Sequence, residues 1–201
     1  MSDKLDWLEA MKPTKQESNK NNDTKKFSRQ VAITDIVLRS NQAQKIYKRF
    51  FRVTNNALMS LSVGMQTIPK IQEETSNIIN KTNQLIKDVK EQLLIAITSI
   101  TNRMSEAGIE FDEYNNPSIP GLDIKYDNPL VYHIELRSPT SIRFLELLGL
   151  LDRYCLLETF LWFAGEFTNA ENSNLRFKWQ QTVGKVAMSI VNLERELRAG
   201  I

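Results

Sequence analysis

The sequence predicts a mainly α-helical protein with a short two-stranded antiparallel β-ribbon. It reads as a tandem β-α-α repeat with long helices, a tethered form of the ribbon-helix-helix arrangement. Three observations predict this. Ile36 to Ala43 reads IVLRSNQA and Ile134 to Ser141 reads IELRSPTS, so one short word recurs 98 residues apart. Each copy follows residues able to run as a strand and contains a serine placed to cap a helix. Behind each copy come two helical patterns with one break between them, near Pro69 in the first half and at Phe167-Thr168 in the second. Strand, cap, helix lengths and break coincide at one offset, which points to an internal duplication.

Residues 1–26 form a polar N-terminal arm whose low apolar content predicts disorder, apart from a short amphipathic patch of Leu5, Trp7, Leu8 and Met11 that reads as a frayed terminus. The first strand-helix-helix unit spans 27–107. It opens with RQVAITDIVL at Arg29 to Leu38, rich in β-branched residues, and Ser40 then caps a helix from about Asn41 to Gln66. Ala43, Ile46, Tyr47, Phe50, Val53, Ala57, Leu58, Leu61 and Met65 recur there at helical spacing. After Pro69 a seam of Ile71, Thr75, Ile78, Thr82, Leu85, Val89, Leu93, Ala96, Ile100 and Met104 alternates threes and fours, and Gly108 stops it. Residues 108–128, rich in Asn, Pro and Gly, are the expected linker.

The second unit spans 129–201, and the two units are expected to form one compact domain. PLVYHIELR places Tyr132, Ile134 and Leu136 on one face at period two, which turns His133, Glu135 and Arg137 outward. By the repeat, Asp35, Val37 and Arg39 also turn outward. Ser138 with Pro139 starts a helix that is apolar nearly all round as far as about Gly165, the mark of a buried central helix. Thr168 to Glu171 is a capping box, and Leu175, Trp179, Val183, Val186, Ile190, Leu193 and Leu197 stripe the last helix.

Composition narrows the function. The 201 residues are 41% hydrophobic and 25% charged, with no apolar run long enough to cross a membrane and no signal-peptide pattern, so a cytoplasmic protein is expected. A single cysteine, Cys155, lies in an apolar run and reads as a small buried hydrophobe. With one histidine, His133, and no metal or nucleotide motif, the expectation is a non-enzymatic binding protein with no catalytic residues, metal, cofactor, small-molecule substrate or membrane partner.

Charge suggests the partner. From Thr24 to Gln72 nine basic residues face one acid, Asp35, giving +8 there and −6 over the rest, although the net charge is only +2. Such a split steers a basic face toward a polyanion. A lone short strand also cannot satisfy its backbone hydrogen bonds, so the two copies are expected to pair as a ribbon, an element that the major groove admits. The candidate double-stranded-DNA contacts are Lys25, Lys26 and Arg29 of the arm, Arg39 and Arg137 beside the ribbon, and Lys45, Lys48, Arg49 and Arg52 as phosphate clamps. The alternative is a helical scaffold or adaptor of a conjugation or secretion apparatus, with the long seam binding protein.

Over residues 126–194 the chain resembles the AcaB-like family of regulators found on conjugative plasmids and integrative conjugative elements. Asn128-Pro129, Ser138-Pro139, Leu151-Asp152, Leu161-Trp162 with Gly165, and Trp179-Gln180-Gln181 carry the resemblance, which is looser over 27–64. It implies a tethered ribbon-helix-helix DNA-binding protein that forms a homodimer and regulates transfer genes. The run TVGKVA after Gln181 departs from the family in being poorer in arginine, and no individual DNA contact carries over. Trp162 and Trp179, at helical spacing among apolar neighbours, read as core.

Overall fold

The computed structural model describes residues 31–67, 72–113 and 116–199. Lys25, Lys26, Arg29 and the rest of the N-terminal arm lie outside the described residues. Strand β1 (Ala32–Leu38) leads into helix α1, which begins as Asn41–Ile46, widens to a π-helical turn at Tyr47–Phe51 and continues as Arg52–Thr67. Helix α2 (Gln72–Glu106) follows, then the short strands β2 (Glu110–Phe111) and β3 (Pro117–Ser118). Strand β4 (Leu130–Leu136) precedes α3 (Pro139–Phe163) and α4 (Asn169–Ala199). The fold is mainly helical, and β1 and β4 form the antiparallel two-stranded ribbon that the repeat predicts.

The register of that ribbon carries the imprint of the repeat. Asp35 pairs with His133, its own equivalent 98 residues on. On either side, Ile36 pairs with Tyr132 and Thr34 with Ile134, two pairs that interchange when the halves are swapped. An approximate two-fold therefore passes through the Asp35–His133 pair. Leu38, Ile134 and Leu136 are buried beneath the ribbon, in one core cluster with Ile46 and Phe51 of α1, Leu93 of α2, Leu148 and Leu151 of α3, and Val183 and Ile190 of α4. Both halves thus supply one core.

The starts of α1, α3 and α4 follow from the sequence. The Ser40 side chain accepts from the Ala43 amide at 3.3 Å and the Ser138 side chain from the Ser141 amide at 3.1 Å, with Pro139 in the first turn. Thr168 and Glu171 close the capping box in both directions, at 3.2 and 2.9 Å. Gly108 and Gly165 adopt positive φ at the ends of α2 and α3, where Ile109 and Glu166 donate back to Met104 and Leu161 at 2.9 Å.

Two expectations need correction. The periodicity of α1 places Val53 inside, yet Val53 is exposed and Thr54 is fully buried. The π-helical turn just before them adds residues to one turn and so shifts the inward phase. The segment 108–128 is more than a linker: β2 pairs with β3, and Ile109, Phe111 and Ile119 pack on the core. Two-residue strands are too short to show alternation in the sequence.

Candidate nucleic-acid interface

The ribbon presents its outer face as expected. Ile33, Asp35 and Val37 of β1 and Val131, His133 and Glu135 of β4 are exposed. Its polar groups are largely paired: His133 Nδ1 lies 2.5 Å from Asp35 Oδ1, and the Arg137 guanidinium donates to Glu135 at 3.1 Å. What remains is aliphatic, with Ile33 77% exposed and Val131 56% exposed. Arg39 and Arg137 are equivalents under the repeat and sit at opposite ends of the ribbon, both exposed.

Asp152 fixes the junction between β1 and α1. Its buried carboxylate accepts from the Arg39 amide at 3.0 Å and the Ser40 amide at 2.6 Å, so a residue of the second half holds the helix start of the first. Gln44 adds a second tie, donating to the Leu38 carbonyl at 3.0 Å and the Asn128 carbonyl at 2.9 Å. Asn55 does the same for β4, donating to the Glu135 carbonyl at 3.0 Å.

Lys45, Lys48, Arg49 and Arg52 form an exposed stripe along α1 and make no ion pair among the described residues. Tyr47 stacks on Tyr132 of the ribbon's inner face, with ring centroids 3.8 Å apart. Lys45 and Arg49 each stand two residues from Tyr47, roughly half a helical turn around the axis. Lys45 and Arg49 therefore project away from the ribbon, toward the side where α4 packs on α1.

That side contains a contribution that no pattern in the sequence predicts. Gln180 of α4 lines a cleft of about 390 Å³ with Lys45, Ile46, Lys48, Arg49 and Phe50. The Arg49 guanidinium lies 5.0 Å from the centre of the Phe50 ring. Gly184 eases the close approach of the two helices, since a Cβ there would stand 3.3 Å from Ile46 Cδ1 and 3.6 Å from Phe50 Cε2. From Asn41 to Thr67 the chain has no carboxylate, and from Asn172 to Leu193 it has none either, although Arg176 of that stretch is committed to Glu158 of α3. Two helices free of acids along these stretches thus lie side by side. The Trp179-Gln180-Gln181 run was the available signal, but only packing shows that Gln180 meets the α1 cations; Trp179 is buried, as its apolar neighbours predict.

The chain is similar to AcaB from uropathogenic E. coli. The crystal structure of selenomethionine-containing AcaB shares 28% sequence identity, covers 86% of this chain and 83% of its own, and superposes with a TM-score of 0.76. The fold is therefore AcaB-like. No protein-family model and no curated protein matches the chain.

Proposed function

We propose that the chain is a double-stranded-DNA-binding transcriptional regulator of a conjugative element, acting as a homodimer in the cytoplasm. The observation that carries this reading is the cationic stripe of α1, whose exposed Lys45, Lys48, Arg49 and Arg52 no carboxylate among the described residues neutralises. The AcaB-like fold supports it through the regulator family that the sequence resembles. Backbone phosphates are the natural partners of the stripe, and Arg39 and Arg137 extend the contact toward the ribbon. The ribbon's paired polar groups and β-branched face suit apolar contact with thymine methyl groups better than a dense hydrogen-bonded readout.

The test is a gel-shift titration of a mixed-sequence duplex at 50 and 200 mM salt. Wild-type affinity should fall steeply as salt rises. Joint replacement of Lys45, Lys48, Arg49 and Arg52 by glutamine should flatten the log–log slope by about three to four, near 0.9 for each phosphate that is no longer neutralised. Absence of binding even at 50 mM would transfer support to the scaffold reading. The observation favouring that reading is the groove of about 850 Å³ along the outer face of α2 at Leu94, Ile95, Thr98, Ser99 and Asn102.

A further inference from the structure

We propose that the cleft between the π-helical turn of α1 and helix α4 binds one phosphate group, with Gln180 as a neutral hydrogen-bond donor beside Lys45, Lys48 and Arg49. The proposal rests on the DNA reading for the source of the phosphate, but the site itself is argued from the cleft. Its walls bring three cations together and contain no carboxylate. Three like charges this close repel one another, and an anion among them removes that cost. A fourth cation on α4 would add to the repulsion. An amide donates a hydrogen bond without doing so, which gives a physical reason for glutamine at this position.

The floor is apolar. Ile46 and Phe50 line it, and Gly184 lets α4 settle against these same two side chains. Water is thereby excluded from one side of the bound group, which strengthens its attraction to the cations on the other. The π-helical turn contributes directly, since Lys48, Arg49 and Phe50 all belong to it. Turns of this type concentrate at functional sites. At about 390 Å³ the cleft exceeds a bare phosphate and has room for part of an attached sugar. The ligand class is a phosphate ester, whether a duplex backbone or a free nucleotide supplies it.

The test follows the Gln180 side-chain amide by NMR in the full chain, its resonances being assigned by their loss in Gln180→Leu. Inorganic phosphate should shift them saturably, and the shift should vanish in a Lys48→Gln, Arg49→Gln variant. With a mixed-sequence 30-base-pair duplex at 50 mM salt, Gln180→Glu should weaken binding about tenfold by placing a carboxylate against the phosphate. Gln180→Leu should weaken it about threefold, with the salt slope kept. If inorganic phosphate or adenosine monophosphate shifts the amide while no duplex binds, the cleft stands and the DNA reading falls. If the duplex binds equally well to wild type and Gln180→Glu, and phosphate leaves the amide unmoved, the cleft proposal is overturned and the DNA reading stands.

Discussion

Glu158 of α3 is fully buried, and its one strong partner is Arg176 of α4, whose Nε donates to Oε2 at 3.1 Å. The same guanidinium also donates to Thr159 Oγ1 at 2.8 Å, and Glu158 Oε1 has no partner among the described residues. Burial therefore outweighs the arginine and pushes the carboxyl from its usual 4.5 up to about 7. Burial next to Glu158 likewise pushes the Cys155 thiol up to about 12, so the cysteine is the inert, buried hydrophobe that its apolar neighbours suggest. The raised carboxyl has a consequence for stability. The folded chain holds the Glu158 proton more tightly than the unfolded chain does, so its contribution is fully present below pH 4.5 and is lost as pH rises to about 7. Urea denaturation of wild type and Glu158→Gln at pH 4.5 and 7.5 should show wild type losing on the order of 3 kcal/mol relative to the variant across that range. Parallel pH profiles would mean that Arg176 keeps Glu158 ionised throughout.

The elements differ in how openly the sequence declares them. Helix starts were legible because Ser40, Ser138 and the Thr168–Glu171 box are local devices, each complete within four residues. The ribbon was legible because the same word occurs twice and neither strand can stand alone. The π-helical turn was not, since its mark is a shift of phase between Val53 and Thr54 that appears only when the core is seen. Nor was the meeting of Gln180 with Lys45 and Arg49, which is eased by a glycine, Gly184, far away in sequence from its contacts Ile46 and Phe50. Asp152 belongs to the same class. Read locally it is one acid in an apolar helix, yet its carboxylate receives two backbone amides more than 110 residues away. Asp152→Ala should strand both amides and lower stability by about 1–3 kcal/mol in urea denaturation. Asp152→Asn keeps one acceptor oxygen and should cost less. Equal stability of Asp152→Ala and wild type would show that water or a shifted backbone replaces the cap.

At the scale of the whole molecule, the outer face of α2 changes character along its length. Lys81, Lys87, Asp88 and Glu91 occupy its exposed positions first, but from Gln92 to Asn102 no charge appears. Leu94 and Ile95 lie open there, Ile95 at 71%, and no described residue covers them. Glu91, paired with Lys87 one turn earlier, precedes this stretch, and Arg103, which donates to Glu166, follows it. A second copy in antiparallel contact would cover Leu94 and Ile95, and it suits the two-fold symmetry of most homodimers. Such a pairing would give the particle two cationic α1 stripes and a longer footprint on a duplex. Light scattering on the full chain at tens of micromolar should give twice the chain mass. Ile95→Glu, which buries a charge only if the face is covered, should return the mass to that of one chain with its helical circular dichroism retained. A wild-type monomer, or an Ile95→Glu variant that still dimerises, would remove α2 from the interface.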